Sequence, residues 1–180
     1  DLLSMLSLAD QVLNDQGSGA EMLIEGDAPH LLAWRDWVEP ADVVTEQGSF
    51  ETHGVMDAVD MLESPRFELA GGGYAFVEPT RALVAVDVNT GNDTSMTAGT
   101  KANFALAKAL PRELRVRGLG GQIVLDLAPM SKKDRRGFES ELKSALRSDG
   151  IETVFVGWTP LGHVELQRKR ARLALSELLK

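Results

Sequence analysis

Two apolar runs of the same form, VAVDV at residues 84–88 and IVLDL at 123–127, constrain this 180-residue chain more than anything else in it. Each is short, rich in β-branched residues and broken by one aspartate near its C-terminal end, Asp87 in the first and Asp126 in the second. Between them runs one long helical pattern, from about 99 to 117, closed by Gly118-Leu119-Gly120-Gly121. A strand, a helix and a second strand in this order form a crossover, which makes the two strands parallel and packs the helix on their sheet. As neighbours, their backbones would stand about 4.8 Å apart, with both carboxylates at the crevice outside the strand ends, where α/β folds place ligands.

Carboxylates brought that close repel unless a cation sits between them. Magnesium suits the position best. It accepts one or two protein carboxylates, keeps several waters and takes phosphate oxygens in its remaining positions. Asn89 follows Asp87 by two residues, on the same side of an extended chain, where it could hold a carboxylate or a metal-bound water. The plainer reading of either aspartate alone is a helix cap or a loop acceptor; the matched pair favours metal.

The rest of the chain supports an α/β class. Residues 2–13 repeat apolar positions at helical spacing, EMLIE at 21–25 is a strand candidate, and Leu31, Leu32, Trp34 and Trp37 fit a short helix. Trp34 and Trp37, three apart, share one face, a pattern more usual for core packing than for base stacking. Residues 39–52 read as a connection and 55–62 as a helix. RFELA, three glycines and YAFVEP then read as a hairpin, since consecutive glycines allow the positive φ of the turn. A capped helix is expected from Ser131 to about 148, a strand at TVFVGW (153–158) and a final helix beyond it. Pro111 should kink the helix between the aspartate strands or mark two helices meeting.

The formal net charge of −8 conceals a division, because residues 1–80 carry −14 and residues 81–180 carry +6. Such asymmetry suits a chain that meets a polyanion on one surface, since phosphate contacts depend on local charge. The basic residues fall in three sets. Lys101, Lys108, Arg112 and Arg115 form one stripe on the helix between the aspartate strands. Lys132, Lys133, Arg135 and Arg136 crowd the first turn of the next helix, against its dipole, which favours an anion there. Arg168, Lys169, Arg170 and Arg172 are the third. Any one set alone reads as a solvated face; three sets around a carboxylate pair describe phosphodiester chemistry. His163 belongs to no two-histidine metal spacing and reads as a surface or loop residue. No apolar run approaches the roughly 20 residues of a membrane helix, the first residues lack the basic start and small-residue cleavage site of a signal peptide, and the sequence holds no cysteine. A soluble, cytoplasmic protein is expected.

The stretches GGGYAFVEPTRALVAVDVN, LRVRGLGGQIVLDLAPM, the amphipathic helix from Phe138 to Asp149, and GHVELQRKRARL, in this order, resemble the ribonuclease E/G family. The likeness is to its deoxyribonuclease-I-like catalytic subdomain. It spans about 100 residues, with a looser likeness through 1–70. The resemblance implies that Asp87 and Asp126 are magnesium-binding carboxylates, with manganese as substitute, and that Asn89 is the asparagine of the family's D-x-N. It implies endonucleolytic hydrolysis of single-stranded RNA by metal-activated water, leaving 5′-phosphate and 3′-hydroxyl ends. A mixed sheet with a parallel βαβ core is expected over 66–180, preceded by an acidic α/β segment over 1–65, part of a ribonuclease-H-like region or a linker.

The sequence departs from the family in four places. Pro129 stands where many members have another acid, and Lys101-Ala102-Asn103 keeps only the last residue of an Asn-Thr-Asn stretch. The S1 domain with the 5′-end sensing pocket has no counterpart in these 180 residues, and the zinc-linking cysteines are missing, so zinc-bridged pairing does not carry over; other homo-oligomers stay open. A non-catalytic RNA-binding homologue, and a scaffold that uses its acidic first part for protein contact, are the alternatives.

Overall fold

A computed structural model describes residues 2–20, 22, 26, 30–31, 33 and 41–180. It divides into two units, residues 1–46 and 47–180. In the first, α1 (Leu2–Leu13) forms where helical spacing predicts it, and none of its residues is buried. The expected strand at 21–25 and the helix around Trp34 and Trp37 fall, apart from Met22 and Leu31, outside the described residues.

The second unit opens with α2 (Ser49–Thr52), inside the expected connection, and α3 (Val55–Glu63). Strands β1 (Arg66–Glu68) and β2 (Tyr74–Pro79) make the expected antiparallel hairpin. Gly71 and Gly72 take the positive φ of its turn, at 96° and 89°. Gly73 is small for another reason: a Cβ there would lie 2.8 Å from the carbonyl oxygen of Asn89. Strand β3 (Val84–Asn89), helix α4 (Ala98–Val116) and strand β4 (Gly121–Asp126) are the crossover, and β3 and β4 pair in parallel. Helix α5 (Lys132–Ser148), strands β5 (Thr153–Trp158) and β6 (Val164–Arg168) and the short α6 (Leu175–Leu178) complete the unit.

The six strands form one mixed sheet in the order β1-β2-β3-β4-β6-β5, parallel only at β3–β4. The final helix expected beyond residue 158 is reduced to the four residues of α6, because a strand comes first. After the turn at 159–163 the chain returns as β6, antiparallel to both β4 and β5. Its burial alternates with period two, Val164, Leu166 and Arg168 inward and Glu165 and Gln167 outward, as a half-buried strand requires. Of the two outcomes expected at Pro111, two helices meeting there is excluded, since α4 runs through it as one helix. Proline inside a helix costs about 3 kcal/mol. Leu106, Leu110 and Leu114, all fully buried around it, contribute roughly 1.5–3 kcal/mol each, which outweighs the penalty. Gly118 then ends the helix with φ +66°, and the Leu119 N–H reaches back to the Leu114 carbonyl at 2.9 Å.

Helices α4 and α5 cover one face of the sheet. The core between them joins Ala75, Val77, Val86, Ile123, Leu125 and Leu166 from the strands to Leu106, Leu110, Leu114, Phe138 and Leu142 from the helices. The alternate residues of the same strands, among them Tyr74, Phe76, Ala85, Asp87, Val124, Asp126, Glu165 and Gln167, are exposed or half-buried on the other face. Among the described residues no helix is long and apolar enough to cross a membrane.

Candidate active site

Asp87 and Asp126 are direct partners in the parallel β3–β4 register. Their placement differs in one respect from the expected crevice beyond the strand tips. Alternation with the buried Val86, Val88 and Leu125 turns both carboxylates onto the open face of the sheet. Asn89, two residues on along β3, donates from Nδ2 to Asp87 Oδ2 at 2.8 Å. Of the two roles open to this asparagine, holding the carboxylate is the one its geometry serves.

His163 lies in the turn before β6, a loop residue as expected, and that turn brings it beside Asp126. Register explains its position: Val164 pairs with Leu125, so the preceding residue arrives opposite Asp126. The turn is fixed by Thr159, whose N–H donates to the His163 carbonyl at 2.9 Å and whose hydroxyl accepts from the His163 N–H at 3.1 Å. The imidazole Nε2 lies 3.5 Å from Asp126 Oδ1. Asp87 thus has one oxygen occupied by the Asn89 amide, Asp126 has the His163 ring beside it, and among the described residues neither is paired with lysine or arginine. Among the described residues no third carboxylate joins the pair, and no set of three or more acidic, histidine or cysteine side chains is placed to hold a metal ion. Two adjacent exposed carboxylates without a cationic partner are a donor set that fits magnesium, whose other positions go to water and substrate oxygens.

Asn103 was noted in the sequence only as the remnant of a motif; the structure gives it a physical task. Its fully buried side chain spans from α4 to the loop after β4, donating to the Ala128 carbonyl at 2.7 Å and accepting from the Ala128 N–H at 3.0 Å. That loop connects Asp126 to the first turn of α5, where Ser131 caps the helix by accepting from the Asp134 N–H at 3.2 Å. Asn103→Ala is expected to destabilise the protein by roughly 1–3 kcal/mol for each Ala128 group left unpaired. Urea unfolding would measure the loss, and faster amide exchange at Ala128 would locate it.

The three basic sets have different placements. Lys132, Lys133 and Arg136 are exposed at the start of α5, the end of the domain to which β4 delivers Asp126. Arg135 of the same turn folds back, its guanidinium 4.7 Å from the ring centre of Trp158. The α4 stripe lies on the helix-covered side of the sheet, and each member meets an acid: Lys101 with Asp93 at 3.4 Å, Lys108 with Glu141 at 3.8 Å, Arg112 with Glu113 at 2.9 Å, and Arg115 with Asp149. Asp93 is held below the ordinary carboxylate range, chiefly by the Ser95 backbone N–H, with Lys101 adding less. Lys169, Arg170 and Arg172 are exposed beside the beginning of β4, since Gly121 pairs with Arg168. That is about 16 Å along the strand from Asp126 at 3.3 Å per residue. Arg168, grouped above with the RNA contacts, requires a correction: its side chain is wholly buried, bonded to Asp149 at 2.5 Å and Thr153 at 2.8 Å, and it serves the fold.

One face under two helices and the other presenting an in-register acidic pair make this a half-covered α/β domain with its candidate site on the open side. The Ribonuclease E/G family model matches residues 34–171. This chain belongs to that family. It is similar to the Ribonuclease G of Salmonella typhimurium (strain SL1344), 34% identical over 179 residues that cover 94% of this chain and 35% of the relative. The Ribonuclease G of Escherichia coli (strain K12) is 34% identical over 142 residues, 74% of this chain and 28% of the relative. The Ribonuclease E of Nostoc sp. (strain PCC 7120 / SAG 25.82 / UTEX 2576) is 37% identical over 119 residues, 63% of this chain and 17% of the relative. The chain therefore spans about a third or less of the length of these curated relatives.

Proposed function

We propose that this chain is the catalytic subdomain of a magnesium-dependent endoribonuclease, acting in the cytoplasm on single-stranded RNA and leaving 5′-phosphate and 3′-hydroxyl ends. The observation that carries the reading is the register-matched Asp87–Asp126 pair, displayed on an open sheet face with no lysine or arginine bonded to it among the described residues. Family membership, with relatives named ribonucleases, supports the same chemistry.

Asp87 and Asp126 would hold the ion. Magnesium, or manganese in its place, supplies Lewis acidity that acidifies water and offsets charge developing on phosphate oxygens. Asn89 keeps one oxygen of Asp87 occupied so that the carboxylate presents the other. His163, 3.5 Å from Asp126 Oδ1 at the β5–β6 turn, is close enough to orient that carboxylate. Asn103 holds the loop that sets Lys132, Lys133 and Arg136 at the same end, where they attract the RNA backbone. Removing the His163 side chain is expected to weaken manganese binding by about 10-fold, the low end for groups that orient metal ligands. Manganese titration followed by electron paramagnetic resonance checks this without reference to activity.

The test of the function is incubation with 5′-labelled single-stranded RNA. Cleavage that requires magnesium, stops with chelator and yields 5′-phosphate ends is expected; intact RNA under all metal conditions would count against it. The absence of a third converging acid among the described residues favours one rival, a non-catalytic RNA-binding homologue, which binds salt-sensitively without products. In either case, replacing Lys132, Lys133 and Arg136 with alanine is expected to weaken RNA affinity and flatten the slope of log affinity against log salt. On a single strand the slope changes by about 0.7 for each phosphate that is no longer neutralised, and a salt series by fluorescence anisotropy reads it.

A further inference from the structure

The sheet register carries the site beyond its carboxylates. Arg66 pairs with Phe76, Phe76 with Asp87 and Asp87 with Asp126, so these four residues form one row across β1, β2, β3 and β4. The adjacent row on the same face is Glu68, Tyr74 and Asn89. Tyr74 and Phe76 alternate with the buried Ala75 and Val77, which turns both rings to the open side, half-buried. The rings meet edge to face, 5.8 Å between centres at 87°, and the Arg66 guanidinium lies 4.2 Å from the centre of the Tyr74 ring.

We propose that Tyr74, Phe76 and Arg66 form a base-stacking shelf for an unpaired nucleotide whose phosphate lies at Asp87 and Asp126. Resting on the ribonuclease reading above, the inference adds a subsite that positions the substrate. A nucleotide's base is one sugar away from its phosphate, and Phe76 is the direct cross-strand neighbour of Asp87, whose Cβ atoms stand about 4.5–5.5 Å apart in such pairs. Flat aromatic and guanidinium surfaces are what unpaired bases stack on, and duplexes cannot offer them a free base face. The shelf acts by stacking rather than charge, because Glu68 pairs with Arg66 at 2.8 Å. Continuity with the carboxylate row selects RNA over an apolar protein segment as the occupant, since such a segment would have no use for the acidic pair beside it.

The test is anisotropy of a short labelled single-stranded RNA at low salt with calcium in place of magnesium, which bridges carboxylate and phosphate oxygens, read before any product forms. Intact RNA and the same RNA carrying abasic positions are compared on the unaltered chain and on Phe76→Leu and Tyr74→Leu, which keep the strand apolar. Each substitution is expected to weaken binding of intact RNA about 5- to 100-fold, with abasic RNA already weak on the unaltered chain and insensitive to either substitution. Because the abasic arm needs no variant, misfolding of a variant does not blunt it, and circular dichroism reports the fold of each. Equal affinities of intact and abasic RNA for the unaltered chain would overturn the shelf, as would Leu variants that bind intact RNA normally. If magnesium-dependent cleavage persists in that case, the ribonuclease reading survives and only the shelf falls. No binding of either RNA by the unaltered chain, together with no cleavage, overturns both.

Discussion

Asp149→Ala is expected to lower the unfolding free energy of the 47–180 unit by about 3–5 kcal/mol, the range for removing one partner of a buried ion pair. Asp149 sits just past α5, its side chain fully enclosed, and accepts from Arg168 on β6 at 2.5 Å and from Arg115 on α4. It thereby ties together two elements that are far apart in sequence, the crossover helix and the penultimate segment of the chain. Without it the Arg168 guanidinium remains buried with only Thr153 for a partner. A urea titration would show the midpoint shift, and the comparison with Arg168→Met sharpens it. Methionine removes the charge while filling most of the volume, so the double variant should recover part of what Asp149→Ala loses. If Asp149→Ala proves as stable as the original, the enclosed network contributes nothing to the fold.

Asp126→Asn and Asp87→Asn are expected to have the opposite profile, a large effect on chemistry and almost none on stability. If the two carboxylates hold the ion, each substitution forfeits several kcal/mol of transition-state stabilisation. At tenfold per 1.36 kcal/mol, that is about 100- to 10,000-fold in the rate of RNA cleavage. The unfolding midpoint should move little, since both side chains are exposed and surface changes usually stay within about 0.5 kcal/mol. Removing one of two adjacent like charges works, if anything, in the stabilising direction. Manganese affinity and single-turnover cleavage, measured on the same samples, separate loss of metal from loss of structure. Metal-dependent cleavage that survives both substitutions would remove these residues from the site.

Much of this was legible from local pattern. Helices α1, α3, α4 and α5, strands β2, β3, β4 and β5 and the glycine hairpin all follow from periodicity and turn chemistry, which act over a few residues. The two aspartates stood out because a charge in an apolar strand is costly without a partner. Strand β6 was not legible. Its period-two alternation is present in Val164, Leu166 and Arg168, but the third inward residue is an arginine within a basic run, and only the distant Asp149 makes its burial tolerable. His163 was legible as a loop residue, but its place beside Asp126 depends on the β4–β6 register. The α4 lysines and arginines form a stripe on a helical wheel, yet their acidic partners Asp93, Glu113, Glu141 and Asp149 come from three other places as well as from α4 itself.

By itself the sequence determined that two aspartate-bearing strands lie side by side in parallel, because a single helix of that length between them admits little else. It also determined the family, through motifs that keep their order and spacing. Only the tertiary structure decided which face those aspartates occupy, and that the row they belong to continues through Phe76 to Arg66. The same holds for the arginine that is core rather than RNA contact. The physical reason is the same in each case: periodicity says that alternate residues part company, but which side is covered depends on where α4 and α5 pack, and register depends on strands that the sequence keeps far apart.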